Sequence, residues 1–351
     1  MEKGEKIIIA GGGLGGLTLA WLLFQKGIPA TVLEASSRLG GRIQTIKGNL
    51  DTPLELGATW FSDLHPNLLW LLNNLGLKKY PQYSEGISLF ETRSFEPPQH
   101  FFVPASESPS YRIAGGTGAL IAALLQGLPA ENIVTNAPVT AITASGHELF
   151  VKTADGGMRA AGNIVVCMPP QLAASKIKFT PALPEAVQRV LPEVQTWMAG
   201  ALKFTLEYTE PFWRTEGYSG MLYSHAGIIT EMYDHTNFEE DKFGFTGFLN
   251  SSAAAYPQAI RKELVLQQLE PLLGQNVQRP AGYFDKVWAD AFVLQGNPVF
   301  QRPHHHNGHP LLQLPYMEER LFFCGTETAT AFAGYMEGAV IAAKRLAAQL
   351  T

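Results

Sequence analysis

The sequence predicts an α/β fold of two interwoven domains, one of them a Rossmann-type nucleotide-binding unit. Three observations lead there. A β-branched run, Ile7-Ile8-Ile9-Ala10, passes through a glycine turn into a helix-forming stretch, Leu17 to Phe24, and then into a second apolar run. A buried-type strand, Leu321 to Cys324, returns near the end of the chain and leads into a closing helix. Between them, from about Leu172 to Phe284, the chain changes character, which marks a second unit. With 351 residues, 46% of them hydrophobic, more than one core can be buried.

The elements follow in order. Ile7 to Phe24 is 18 uncharged residues, long enough on length alone to span a membrane. Five glycines in its middle argue instead for strand, turn and helix, and Gln25 to Pro29 offers no signal-peptide cleavage site. Lys26-Gly27 supplies a C-cap, and Ala30 to Glu34 reads as a second strand, so a right-handed parallel pair is expected. Asp63 to Leu77 reads as a helix with Asp63 at its N-cap and Gly76 as its stop. Lys78 to Arg112 is rich in Ser, Pro and aromatics and has no long period; Gly115 to Leu128 is glycine-rich, then helical. Short strands are expected at Ile133-Val134, Val139 to Ile142 and Asn163 to Cys167, with a hairpin turning at Asp155-Gly156. The middle section combines helices near Pro184 to Leu191 and Gln258 to Leu273 with strands near Ala199 to Tyr208. Gly334 to Leu350 is the closing helix.

Composition excludes several classes. Charged residues are only 16% and the formal net charge is −5, a poor match for a nucleic-acid binder, and the apolar content is too high for a disordered chain. Cys167 and Cys324, the only cysteines, make no disulfide framework and no zinc site; they fit a reducing, cytoplasmic compartment.

Gly11-Gly12-Gly13-Leu14-Gly15-Gly16 satisfies G-x-G-x-x-G, and its context gives it weight. It follows a strand, opens a helix and precedes a strand that ends in Glu34, 23 residues on. Gly11 permits the tight turn, Gly13 lets backbone approach a pyrophosphate, and Gly16 lets helix pack on sheet. Leu14 and Gly15 begin a helix whose free N–H groups and positive dipole end suit phosphates. Glu34 is suited to ribose hydroxyls and would repel a 2′-phosphate. Arg38-Leu39-Gly40-Gly41-Arg42 sets two arginines around a second glycine pair, which suits a second anionic contact.

These motifs together resemble the flavin-containing amine oxidase superfamily, which includes monoamine and polyamine oxidases. The resemblance runs through Ile8 to Gly16, Val32 to Ala35, Arg38 to Arg42, Glu55 to Trp60, Gly115 to Leu120, Asn136 to Ile142, Ile164 to Pro170 and Glu210 to Trp213. It is most specific in Phe323 to Ala329 and Gly334 to Val340. It implies FAD, held in a Rossmann-type domain of discontinuous segments, 1–75, 113–171 and 285–351. The remaining segments, 76–112 and 172–284, would form an α+β substrate domain with a mixed sheet. By the resemblance Glu34, with Ala35 beside it, holds the adenosine ribose, and Val139 meets the adenine end through its backbone. Gly41, Arg42 and the stretch Gly57-Ala58-Thr59-Trp60 lie along the cofactor toward the flavin. Gly325 and Glu327 serve the ribityl side, Met336 places its N–H at the flavin pyrimidine edge, and Tyr335 is a substrate-facing aromatic wall.

Departures from the family pattern are informative. Where monoamine oxidases carry the cysteine that tethers flavin, counting from Trp288 gives Asn297, so a non-covalent cofactor is expected; the next position, an aromatic cage wall in those enzymes, is Pro298. A count from Ile229 puts Asn237 where many members carry a lysine near flavin N5, with Lys242 nearby, and Ser36 replaces an arginine common in the family. The chain ends at Thr351 without the anchoring tail of mitochondrial monoamine oxidases, so a protein with no membrane span is expected.

Other groups invite separate readings. His304-His305-His306 with His309 lie in a Pro/Gly/Asn loop, where adjacent histidines cannot converge on one centre, so no metal is expected. Cys324 reads as a packed small residue, and Trp60 either packs the core or faces the flavin. The expected activity is FAD-dependent oxidation of a small-molecule amine. Hydride passes from the carbon bearing nitrogen to flavin N5, the imine is hydrolysed, and dioxygen is the acceptor, giving hydrogen peroxide. Carbon–carbon desaturation on the same fold, as in protoporphyrinogen oxidases, and a low-turnover FAD-binding module are the alternatives.

Overall fold

The computed structural model describes residues 7–93, 95–289 and 304–351. A five-stranded parallel sheet carries the order Leu321–Phe323, Asn163–Val166, Ile7–Ala10, Ala30–Leu33, Ile133–Val134. Every residue of its central Ile7–Ala10 and Ala30–Leu33 strands is buried, as β-branched runs covered on both faces require. Leu14–Gln25 and the closing helix Met336–Gln349 pack on each other beside this sheet, their alanines and leucines joining Ile9, Val32, Val165 and Cys324 in one core.

Against the other face lies a four-stranded sheet, Met158–Ala161, Glu148–Thr153, Val139–Ser145, Lys178–Thr180. The expected hairpin at Asp155-Gly156 joins its Glu148–Thr153 and Met158–Ala161 strands. Ile177, Leu183, Val187, Leu191 and Val194 pack into the core that these two sheets share. We therefore propose that the chain crosses to the substrate-side unit near residue 195 rather than at 171/172.

The third sheet has seven strands, in the order Gly282–Val287, Leu202–Tyr208, Phe243–Leu249, Ile229–Asp234, Tyr218–Ser224, Gly86–Glu91, Gln99–Val103. It is mixed: Tyr218–Ser224 and Gly86–Glu91 run parallel and the other pairs antiparallel. Gln258–Leu273, the helix expected from the sequence, covers one face through Val265, Leu269 and Leu272 against Phe204, Trp213 and Phe245. The opposite face looks toward the unit built on the parallel sheet, with Lys203 Nζ donating to the Gly57 carbonyl and Glu207 Oε1 accepting from the Leu50 N–H. Asp234 anchors the end of its strand by accepting from Trp213 Nε1 (2.8 Å), Arg214 Nε (2.7 Å) and the Thr236 N–H (2.9 Å).

One helix start differs from its expectation. The helix after the glycine-rich segments spans Pro66–Asn74, with His65 at the N-cap position; Asp63 instead accepts from Lys79 Nζ and Tyr111 Oη. The missing cap comes from another helix. Buried Glu337 accepts from the N–H groups of Asn67 (3.1 Å) and Leu68 (2.6 Å), and from Asn67 Nδ2 (2.8 Å). A carboxylate there satisfies orphan donors and faces the positive helix end. Glu337→Gln is expected to lower unfolding free energy by about 1–3 kcal/mol, read as a lower urea midpoint with unchanged slope; an unmoved midpoint would show that this helix start stands without the carboxylate.

Candidate active site

The glycine turn sits between the first strand and its helix because two glycines cannot be otherwise. Gly11 has φ +122°, and a Cβ there would lie 2.3 Å from the Cys167 carbonyl oxygen. A Cβ on Gly16 would lie 2.0 Å from the Gly11 carbonyl oxygen. Gly13 differs: its backbone is extended, and a Cβ would meet nothing nearer than Gly41 Cα at 3.8 Å. Gly13 is the N-cap of Leu14–Gln25 and brings no capping side chain, so the first-turn N–H groups are left to a ligand. The second glycine pair lies directly opposite, with the Gly40 N–H donating to the Gly12 carbonyl at 2.8 Å.

A groove runs along this turn. Gly11, Gly13, Leu14, Gly15, Glu34, Ala35, Gly41, Arg42, Ala58, Val139, Gly325, Glu327, Tyr335 and Met336 line it, so residues far apart in sequence are brought to one site. Gly57, Thr59 and Trp60 line an adjoining cavity instead, and Gly16 lies beneath the turn and lines neither. Glu34 is buried and held by its own chain: Oε2 accepts from the Gly12 N–H (2.7 Å) and Oε1 from the Ser36 N–H and Oγ (both 2.9 Å). Oε2, with one donor, keeps lone-pair capacity for a hydroxyl of a ligand, while Oε1 already accepts two. Arg38 turns its guanidinium onto the carbonyls of Leu39, Gly41 and Ile43 and shapes the loop, so the anionic contact expected of two arginines falls to Arg42. Arg42 Nη1 lies 2.7 Å from Glu327 Oε1, yet neither atom has a partner in hydrogen-bonding geometry among the described residues. Two buried polar atoms facing one groove without such a partner suit a polar ligand lying across them. The open space over Gly13, the uncapped helix start, the Glu34 carboxylate and this pair fit an extended dinucleotide such as FAD.

Groove and cavity meet at Arg42, Ala58, Trp288, Gly334, Tyr335 and Met336. The cavity, about 480 Å³, is mainly apolar, with Trp60, Trp197, Phe248 and Trp288 among its walls. Trp60 faces it rather than the core, its Nε1 donating to Gln82 Oε1 at 2.8 Å. Tyr335 is the N-cap of Met336–Gln349 and leaves the first-turn donors of that helix uncapped toward the junction. Beside it Trp197 and His304 form a stacked aromatic group, with ring centroids 6.1 and 6.0 Å from that of Tyr335.

The cavity also contains a lysine that the sequence count misplaced. Lys203, on Leu202–Tyr208, is 1% exposed; its Nζ donates to the Gly57 carbonyl at 2.7 Å and to Thr59 Oγ1, and lies 4.7 Å from the centre of a Trp60 ring. Burial pushes its ammonium down to about 7 against the opposing pull of buried Glu55, and Arg112 adds to the lowering. Asn237, by contrast, lies outside the cavity and ties down a turn, donating to Glu239 and Asp241 and accepting from the Lys242 N–H. Lys242 does not line the cavity either. The available signal was a lysine on the polar face of an alternating strand, Leu202–Tyr208, which packing buries along its whole length.

Asn297 and Pro298 lie outside the described residues. Among the described residues no three His, Cys, Asp or Glu side chains are grouped to hold a metal ion, and no helix is long and apolar enough to cross a membrane. Cys324 is buried beside Cys167, at the ends of adjacent strands.

Comparison with known proteins follows the same geometry. The family model described as flavin containing amine oxidoreductase matches residues 14–96 and 83–351. A probable flavin-containing monoamine oxidase A of Dictyostelium discoideum is 25% identical, covering 98% of this chain and 97% of its own. A flavin-containing amine oxidase A of Sus scrofa is 23% identical, covering 100% and 87%. Among solved structures, putrescine oxidase bound to putrescine superposes with a TM-score of 0.84 at 20% identity, over 98% of each chain. Cyclohexylamine oxidase from Brevibacterium oxydans gives 0.83 at 19%, over 99% of this chain and 98% of its own.

Proposed function

Because this chain belongs to the flavin-containing amine oxidoreductase family, we propose that it is an oxidase of small amines that works with non-covalently bound FAD. The observation that carries the reading is the junction: a dinucleotide groove opens into an apolar cavity that contains one buried lysine. When bound, the flavin would supply a hydride acceptor for the carbon bearing nitrogen. Gly13, Glu34 and Arg42 would hold its nucleotide end and chain. The start of Met336–Gln349 would set a positive dipole end at the ring's polar edge.

The protein's own part is position, dryness and one proton. Trp60, Phe248 and Trp288 exclude water from the reacting carbon. Tyr335 offers its ring to the amine. Oxidation of an amine to an imine releases one proton besides the hydride, and Lys203, half-protonated near neutrality, is the residue we assign to hold it. The imine is then hydrolysed by water, with dioxygen as the proposed acceptor and hydrogen peroxide as its product. A buried lysine in the cavity favours proton transfer from an amine over carbon–carbon desaturation on the same fold.

Anaerobic mixing of the yellow holoenzyme with a panel of amines, and separately with NADH and NADPH, tests this reading. Bleaching by an amine class, reversed by air with peroxide formed, is the expected result. Bleaching by nicotinamides alone would overturn it. Tyr335→Ala is expected to lower amine kcat/KM by about tenfold with the flavin content unchanged; loss of flavin from that variant would assign the ring a structural role instead.

A further inference from the structure

Two thiols meet where the proposed chemistry has no use for them. Val166 and Phe323 are the last paired residues of the neighbouring parallel strands Asn163–Val166 and Leu321–Phe323. The Cys324 N–H donates to the Val166 carbonyl at 2.9 Å and carries that ladder one step further, so Cys167 and Cys324 stand opposite each other. The period of two puts Cys167 on the face of Val165 and Cys324 on the face of Phe322, and all four join one core. Neighbouring strands lie about 4.8 Å apart. A disulfide spans Cα atoms about 4.4–6.8 Å apart, so these two side chains can be joined with the strands where they are.

The local chemistry favours joining them. The two side chains hydrogen-bond to each other. Burial pushes the Cys167 thiol well up, so Cys167 keeps its proton and donates. That hydrogen bond, with the Arg345 guanidinium, holds Cys324 below its ordinary value against its own burial. Arg345 is fixed beside the pair because its Nη2 donates to the Phe323 carbonyl at 3.0 Å and to Thr328 Oγ1 at 3.2 Å. Packing alone asks only for small apolar side chains at these positions; two matched thiols beside a buried cation make a reactive arrangement.

Access comes from one side. Cys324 is 1% exposed, whereas Cys167 lines the nucleotide groove beside Gly11, Met168 and Gly325. A dinucleotide lying in the groove would cover that opening. An empty groove leaves it to a molecule as small as hydrogen peroxide, the product of the proposed oxidase.

We propose that Cys167 and Cys324 are a redox clasp, which hydrogen peroxide closes to a disulfide when the groove is empty and which bound FAD shields. The Cys324 thiolate attacks one peroxide oxygen, the O–O bond breaks, the departing hydroxide takes up a proton and leaves as water, and a sulfenic acid forms. The Cys167 sulfur then attacks that sulfur, the S–O bond breaks, and the second oxygen leaves as water with the Cys167 proton. Two thiols thus give two electrons to one peroxide, yielding one disulfide and two waters. The bridge ties together strands far apart in sequence and restrains the unfolded chain. Only the source of the peroxide rests on the amine-oxidase reading.

Added hydrogen peroxide therefore tests the clasp without turnover. Apo-protein and holoenzyme are exposed to the same peroxide, free thiols are counted over time, and alkylated digests are mapped by mass. The apo-protein is expected to lose both thiols together into one Cys167–Cys324 peptide pair, about tenfold or more faster than the holoenzyme, with reversal by dithiothreitol. Its thermal midpoint should rise by several degrees and return on reduction. Cys324→Ala should form no bridge, and peroxide should not raise its midpoint. Sulfinic or sulfonic acid without a bridge, an unmoved or lowered midpoint, or no loss of thiol from the apo-protein overturns the clasp. A bridge that forms equally fast in the holoenzyme overturns the shielding by FAD. None of these outcomes touches the amine reading, which stands or falls on bleaching of the flavin.

Discussion

Lys203→Met should lower kcat/KM for the best amine by about a hundredfold or more while the flavin stays bound. Proton transfer by one positioned side chain is worth roughly 10²–10⁴ in rate, and Lys203 is the only lysine or histidine that lines the cavity among the described residues. The pH profile gives the sharper test. With the ammonium pushed down to about 7, kcat/KM in the unaltered enzyme should rise as pH passes about 7 and Lys203 loses its proton. That limb should vanish in the methionine variant. An unchanged rate, or a limb that persists, would remove Lys203 from the chemistry.

Stability supplies a readout independent of turnover. Unfolded, the lysine titrates near its ordinary value of 10.5; folded, it titrates near 7. Between these two values the unfolded chain binds more protons, so native stability contributed by this group rises with pH across that window. Below about 7 the full penalty of a buried ammonium is present, on the order of a few kcal/mol. Lys203→Met removes the penalty and also leaves the Gly57 carbonyl without its donor, which costs about 1–3 kcal/mol. The expected signature is therefore a slope: the variant gains on the parent as pH falls from 10 toward 6. A pH-independent difference would mean that Lys203 titrates at its ordinary value.

Why the lysine was misplaced is a matter of geometry. Glycine turns, parallel strands and the closing helix are local patterns, and their elements stand within a few residues of where the sequence put them. The Gln258–Leu273 helix matches at both ends. The cavity is not local. Lys203, Phe248, Glu231 and Tyr223 meet because four strands pair in a register set by tertiary contacts. Counting along the chain from Ile229 arrives instead at Asn237, beyond the end of its strand, where a turn takes up the side chain. Strands within 78–112 and 218–249 escaped for a related reason. Glycines at 86, 220, 244 and 247 break their alternation, and several of them sit where a Cβ would strike a neighbouring strand's backbone. The helix cap expected from Asp63 failed similarly, since its replacement, Glu337, is 270 residues from the Asn67 it serves.

The glycine turn is where legible sequence and functional space separate, and two variants should divide them. Gly16→Val is expected to damage the fold itself. Its Cβ would stand 2.0 Å from the Gly11 carbonyl oxygen and 3.3 Å from Ile9 Cγ2, both in the packed contact between strand and helix. Overpacking against backbone costs about 1–3 kcal/mol or more, so the apo-protein should already be less stable. Gly13→Val meets no such wall. The residue is extended, with φ −78° and ψ −179°, and its Cβ finds its nearest neighbour at 3.8 Å. The protein should lose only about 1 kcal/mol from a poorer N-cap. Its isopropyl group would instead enter the groove where, in the proposed reading, the first-turn N–H groups of Leu14–Gln25 meet phosphates, and FAD affinity should fall by about a hundredfold or more. Gly13→Val should therefore purify as a folded, colourless protein, with an apo-form thermal midpoint within a few degrees of the parent apo-form. Comparison must be made between apo-forms, because bound cofactor raises the midpoint by mass action. A yellow Gly13→Val with stoichiometric flavin would show that the groove is not where the cofactor lies. A Gly13→Val as unstable as Gly16→Val would show that the space above Gly13 belongs to the fold and not to a ligand.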